Sequence, residues 1–180
     1  MPILKTVIEG CREGNRLSQK QLYQAYYSYG MGLCMRYAQH EAEAEEMLNT
    51  GFMKVFKKIH HYDTALPFKP WFKVVMVHAV IDYQRASKRF YYDEPSERQS
   101  DFVEAEVVET QLAYEDLIKI VQKLSPAYRT VFCLYEIEGY KHHEIAEQLD
   151  ISVGTSKSNL AKAKKKLRIL LNDKQLTKMN

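Results

Sequence analysis

From Ala44 onward, Met47, Leu48, Gly51, Phe52, Val55, Phe56 and Ile59 recur at intervals of three and four, with mostly acidic, amide and lysine side chains between them. That period lays one apolar stripe along about four helical turns and predicts a long amphipathic helix. Upstream, Leu4, Val7, Ile8 and Cys11 give a shorter stripe ending near Gly14-Asn15. Ser18 with Gln21 then resembles a capping box opening a second helix that carries Leu22, Tyr26, Leu33 and Tyr37. Gly30 and Gly32 fall inside this second pattern, where glycine costs about 1 kcal/mol relative to alanine, so a kink or break is expected there. After Ile59 the period stops. His60, His61, Tyr62, Asp63, Thr64, Ala65, Leu66 and Pro67 read as a loop, because Pro67 and Pro70 interrupt regular helix. A further helix is expected from Trp71, with Phe72, Val75, Met76, Ala79 and Tyr83 facing inward.

The carboxyl-terminal quarter repeats the helical period in shorter pieces. Ser125-Pro126 sets a capping residue before a proline at the first helical position, and Tyr128, Val131, Phe132 and Tyr135 follow at helical spacing until Gly139. After Tyr140 a short helix turns Ile145, Ala146 and Leu149 toward the first. Asp150-Ile151-Ser152 makes a tight turn, and Ser152 is the natural cap of a third helix. Within that helix Ser156, Leu160, Ala163, Leu167 and Leu171 form an inward stripe. The opposite face holds Lys157, Ser158, Ala161, Lys162, Lys164, Lys165 and Arg168. Small residues between long cations let a helix approach a groove while the lysines reach phosphates. A lone lysine face is more often simply solvated, but the short helix and tight turn before it favour a DNA-reading helix-turn-helix.

Residues 90–110 break both patterns with Pro95, serines, glutamines and carboxylates, and read as a linker. From Asp93 to Asp116 acids predominate and Arg98 is the only base, whereas the chain's end is lysine-rich, so the net charge of +3 conceals a strong asymmetry. This acidity beside a basic helix suits repulsion of nucleic acid, occupation of a basic channel or plain solvation alike. With 180 residues, 46% of them hydrophobic, the chain can form real cores in one large domain or two small ones. An all-α fold of two small helical domains joined by an acidic linker is therefore expected. Cys11, Cys34 and Cys133, an odd number, show no C-x-x-C spacing, which predicts reduced, mostly buried thiols in a cytosolic protein. The Val74–Ile81 run is short and interrupted by His78, so no membrane insertion is expected.

Candidate chemistry is sparse. His60-His61 and His142-His143 are adjacent pairs, not the i, i+4 arrangement that aims two imidazoles at one metal, and there is no glycine-rich phosphate loop or G-x-S-x-G turn. Neither a metal, a cofactor nor catalysis is expected. Tyr62, Phe68, Trp71 and Phe72 lie close to Lys69, Lys73, Arg85, Lys88 and Arg89, a pairing in which rings accept bases and cations follow a single strand's backbone. The same rings would serve equally as core. By spacing Phe72 belongs to the core face, while Trp71 shares the other face with Val74, His78, Asp82 and Arg85.

Taken in order, these segments resemble the sigma factors of bacterial RNA polymerase, in particular the compact extracytoplasmic-function group. LSPAYRTVFCLYEIEGYKHHEIAEQLDISVGTSKSNLAKAKKKLR is similar to sigma region four, PFKPWF followed by AVID and a basic end to the melting helix of region two, and AEEMLNTGFMKVFKKI to the polymerase-clamp-binding helix. The resemblance implies a region-two domain over 1–89, an acidic linker over 90–111 and a region-four domain over 112–176, with no region three between them. It also implies a cytoplasmic protein partnered by core RNA polymerase, promoter DNA in double-stranded and melted form, and an anti-sigma factor. The minus-thirty-five element would be read by Lys157, Ser158, Ala161 and Lys162, with Thr155 and Lys165 on phosphates. The melted minus-ten strand would be held by Tyr62, Asp63, Thr64, Ala65, Leu66, Trp71, His78, Arg85 and Arg89, and core polymerase by Glu46, Asn49, Thr50 and Met53. Several residues depart from the family's usual pattern. His78 stands where asparagine is common, Val74 and Val77 where bases are, and Asn49-Thr50-Gly51 where a glutamine-acid pair precedes a small residue. Ser156 replaces an inward apolar residue, which predicts looser packing there. The rival reading is a stand-alone helix-turn-helix regulator whose front half senses a ligand.

Overall fold

The computed structural model describes residues 2–87 and 114–178, so residues 88 and 89 and the stretch 90–111 read as a linker lie outside the described residues. The chain divides into two compact units, Met1–Ala86 and Ser87–Asn180, and all regular elements among the described residues are helical.

The first unit is built from α1 (Pro2–Arg12), α2 (Arg16–Met35), α3 (Glu41–Lys58) and α4 (Phe68–Ala86). Its core joins Ile8, Leu22, Leu33, Met47, Leu48, Phe52, Val55, Phe72 and Met76, all almost completely shielded from solvent. Four details differ from the sequence expectation. The cap of α2 is Asn15, whose carboxamide oxygen accepts from the Leu17 and Ser18 amides at 2.9 and 3.1 Å, so Ser18 already lies inside the helix. Gly30 does not break α2, which runs through it from Arg16 to Met35. A Cβ there would come within 2.7 Å of Leu48 Cδ1, so glycine serves the close approach of α2 to α3. The long helix α3 starts at Glu41, earlier than the apolar stripe indicates, because His40 Nδ1 accepts from the Glu43 amide at 3.2 Å while the Glu43 carboxylate accepts from the Gln39 amide at 2.7 Å.

The fourth difference concerns α4, which begins at Phe68 rather than Trp71. Pro70 sits in its first turn, where a missing N–H forfeits no intrahelical bond. Phe68 is buried against the rings of Tyr26, Tyr62 and Trp71, and that anchoring extends the helix toward the loop. Val77, Val80 and Ile81 are buried as well as Val75, Met76 and Ala79, so α4 is enclosed on most of its circumference. Tyr83, expected inward, is half-buried and donates to the Glu46 carboxylate at 2.8 Å.

The second unit comprises α5 (Tyr114–Val121), α6 (Pro126–Phe132), α7 (His142–Leu149) and α8 (Val153–Lys178). Ile120 and Leu124 pack with Ala163 and Leu167, and Val131, Leu134, Ile145, Leu149 and Leu160 are buried too. Ser125 caps α6 with Pro126 at its first position, and Gly139, at φ 81°, ends the segment in a conformation that side chains disfavour. Between them Cys133–Ile137 forms a π-helical turn. Its wider winding takes Tyr135 off the apolar stripe and leaves it 37% exposed. Asp150, left-handed at φ 55°, closes α7, and Ser152 Oγ caps α8 by accepting from the Thr155 amide at 2.9 Å. All three cysteines are free and buried, and burial pushes the Cys34 thiol up to about 12.

Candidate nucleic-acid interface

On α8 the helical period separates the predicted reading face from the core. Thr155, Lys157, Ser158, Ala161 and Lys162 are exposed, and Lys165 is half-buried on the flank. Thr155 is held by its cap, its Oγ1 2.9 Å from Ser152 Oγ. Lys162 Nζ rests 5.7 Å above the Tyr128 ring, which limits the ammonium's wandering without neutralising it. Lys164, grouped by sequence with these cations, instead pairs with Glu136 at 2.7 Å. One further residue completes the inward side. Asn159 is 9% exposed, and its place three positions after Ser156 and four before Ala163 was a readable signal.

Ser156 corrects the expectation of loose packing. It is fully buried, and its Oγ lies 2.9 Å from Nδ1 of His142, the first residue of α7. The His142 ring stacks on Tyr135 at a centroid distance of 4.5 Å. Burial chiefly, then Lys157 and Lys164, push the His142 pKa below the usual histidine range, so the ring is neutral at neutral pH.

In the first unit the loop before α4 is tied from several sides. The Asp63 carboxylate accepts from the Ala65 amide at 2.9 Å, and the Asp63 carbonyl from the Leu66 amide at 3.1 Å. Tyr62 OH donates to the Leu66 carbonyl, and the Arg12 guanidinium donates to the carbonyls of Tyr62 and Ile59. These contacts leave Asp63, Ala65 and Leu66 exposed and Thr64 half-buried. Tyr62 itself is buried, packed 5.2 Å from Phe68 and 5.1 Å from Trp71, so its ring supports the loop and is not a free stacking platform. The bonds of Arg12 to the Tyr62 and Ile59 carbonyls span about fifty residues of chain, so no local signal marked this role.

From this loop the exposed side of α4 continues through half-buried Trp71, exposed Val74, half-buried His78, and exposed Asp82 and Arg85. Lys54 of α3 forms an ion pair with Asp82, and Arg85 Nη1 lies 3.8 Å from the same carboxylate. Burial, with Lys58 next, lowers the His78 pKa against the opposing pull of Asp82. Lys54 and Lys58 thus border this face, although sequence reading did not assign them. Arg89 lies outside the described residues. The remaining predicted set, Glu46, Asn49, Thr50 and Met53, follows one line along α3. Glu46 is held by Tyr83, Asn49 accepts from Tyr23 OH at 3.1 Å, Thr50 is half-buried and Met53 is 60% exposed.

Family models match both units: residues 22–90 match Sigma-70 region 2, and residues 114–167 match Sigma-70, region 4. The chain belongs to the sigma-70 family. Among its relatives is the ECF RNA polymerase sigma factor SigW of Bacillus subtilis, 25% identical over 95% of this chain and 98% of the relative. The RNA polymerase sigma factor CarQ of Myxococcus xanthus is 24% identical over 94% of this chain and 98% of its own length. In fold, the chain is similar to the sigma factor RpoE of Bartonella quintana, solved with the anti-sigma factor NepR. That likeness covers 85% of this chain and 96% of the other, at a TM-score of 0.50 and 19% identity. Sigma regions 2 and 4 therefore correspond to the first and second units.

Proposed function

We propose that this chain is an extracytoplasmic-function sigma factor that binds core RNA polymerase, directs it to specific promoters and promotes DNA melting at initiation. One observation carries the reading: region 2 and region 4 occur in that order on a single chain whose last helix exposes a small-residue and lysine face. In this reading Lys157, Ser158, Ala161 and Lys162 face the minus-thirty-five major groove, and Thr155 and Lys165 face phosphates. The loop Tyr62–Leu66 with Trp71, His78, Arg85 and Arg89 captures the melted minus-ten strand. Because its ring is packed, Tyr62 acts by shaping the loop, while exposed Leu66 and half-buried Trp71 supply apolar surface to an unstacked base. Glu46, Asn49, Thr50 and Met53 bind core polymerase.

Each base contact discriminates by about 1–3 kcal/mol, so neither unit selects a promoter unaided. Polymerase makes the two readings simultaneous, and tethering raises the effective concentration of each. The chain performs no catalysis in this scheme, works in the cytoplasm and is restrained by an anti-sigma partner, as the complex of the Bartonella quintana relative illustrates. A stand-alone regulator would bind palindromic duplex as a dimer, a role with no use for region 2. The test is transcription from a promoter library by core polymerase with and without this chain. Chain-dependent enrichment of a two-element promoter supports the reading. Tight, specific duplex binding by the lone chain, with no association with core polymerase, would overturn it.

A further inference from the structure

The sequence places a hydroxyl where the inward stripe of the reading helix calls for an apolar side chain, and the structure gives that hydroxyl a partner. Ser156 is completely buried in the first turns of α8, between Thr155 and Lys157 on the chain. Its Oγ meets His142 Nδ1 at 2.9 Å, and the His142 ring stacks on Tyr135 at 4.5 Å with 25° between the planes. One side-chain sequence therefore ties the π-helical turn after α6, the start of α7 and the first turns of α8. Apolar packing tolerates rotation and sliding of a helix, whereas a buried hydrogen bond has a narrow distance and angle and a cost when unmade. Such a bond fixes the rotation and depth of the turn that carries the exposed residues.

We infer that the Tyr135–His142–Ser156 contact sets the seating of the reading helix, with His142 as a positioning residue that sharpens base selection at the minus-thirty-five element. The inference rests on the sigma-factor reading above. His142 does not touch bases in this account. It acts through Ser156, and Tyr135 holds the imidazole plane so that Nδ1 points at the hydroxyl. What matters is the nitrogen at the Nδ1 position. An asparagine carries a hydrogen-bonding atom at nearly that place, a glutamine carries its own one methylene further out, and a phenylalanine keeps the stack with no such atom.

The experiment uses the full chain with core polymerase on a promoter library randomised in the minus-thirty-five element, comparing wild type with His142→Asn, His142→Gln, His142→Phe and Ser156→Ala. The spread between preferred and disfavoured elements should narrow by about fivefold in His142→Phe, His142→Gln and Ser156→Ala, the scale of one ordinary hydrogen bond. His142→Asn should retain most of it, and minus-ten preference should not move in any variant. Packing alone would rank phenylalanine above asparagine, so selection retained by His142→Phe and lost by His142→Asn overturns the inference. Equal selection in all variants overturns it as well. Wild-type chain that enriches no promoter at all instead removes the reading beneath it. Ser156→Ala, the smallest change, guards against misfolding, and helicity by circular dichroism identifies any variant that loses the unit rather than the contact.

Discussion

Replacing Gly51 and Gly32 by alanine, one at a time, separates helix propensity from helix packing. Both glycines lie within long helices, and propensity alone favours alanine by about 1 kcal/mol at each. At Gly32 nothing lies within 4 Å of the added methyl group, so a stabilisation of about 0.5–1 kcal/mol should survive. At Gly51 the methyl would fall well inside van der Waals contact of Met76 Sδ and Cε, with Ala79 Cβ 3.7 Å away. Met76 is fully buried, so its thioether end must find a new rotamer among the packed side chains of the α3–α4 core, and such overpacking costs roughly 1–3 kcal/mol. That cost cancels or exceeds the propensity gain. The two variants should therefore differ by roughly 1–3 kcal/mol in favour of Gly32→Ala. Trp71 is the only tryptophan, so its fluorescence in a urea titration reports the first unit alone. With a slope of about 1–3 kcal/mol per molar urea, the midpoints should separate by on the order of 1 M. Coincident midpoints, or Gly51→Ala as the more stable protein, would refute the close approach of α3 and α4.

Other consequences are open to measurement. Lys157→Ala or Lys162→Ala should weaken promoter binding by the polymerase complex and lower the slope of log affinity against log salt by about one unit where the lysine meets phosphate. Unchanged promoter binding and salt response in both would contradict their placement against the minus-thirty-five element. Met53→Glu puts a charge on the most exposed apolar residue of the α3 line and should reduce retention of core polymerase in a pull-down while leaving the unfolding free energy, from a urea titration, within about 0.5 kcal/mol. His78, beside Lys58, Lys54 and Asp82, and His142, beside Lys157 and Lys164, both have lowered pKa values, so the unfolded chain takes up protons first on acidification. Stability from both is complete above the ordinary histidine value of about 6.5 and falls as pH drops through it. A circular-dichroism urea midpoint that rises between about pH 7.5 and 5.5 would be the wrong sign.

Much of the architecture is present in local pattern. The stripe from Met47 to Ile59, the Ser125-Pro126 cap, the Gly139 stop and the Ser152 cap each encode their structure within a few residues, because period, caps and backbone preference act over one turn. The exposed faces of α8 and α4 follow from the same period. Where reading failed, the deciding contact came from elsewhere in the chain or from an unusual local choice. Gly30 looked like a helix breaker until Leu48 accounted for it, and Ser156 looked like a packing defect until His142 did. Pro70 sits inside α4 because Phe68 is anchored in an aromatic cluster drawn from α2 and the loop.

The sequence by itself determined a two-part helical protein, the helix-turn-helix and the polarity of its reading face, since amphipathic period and capping need only near neighbours. Tertiary structure alone decided which polar groups are committed and which are free. Tyr62 is taken up by the loop, Lys164 by Glu136, Lys54 by Asp82 and Ser156 by His142. Such pairings depend on where distant segments meet in three dimensions, and residue spacing carries no record of that.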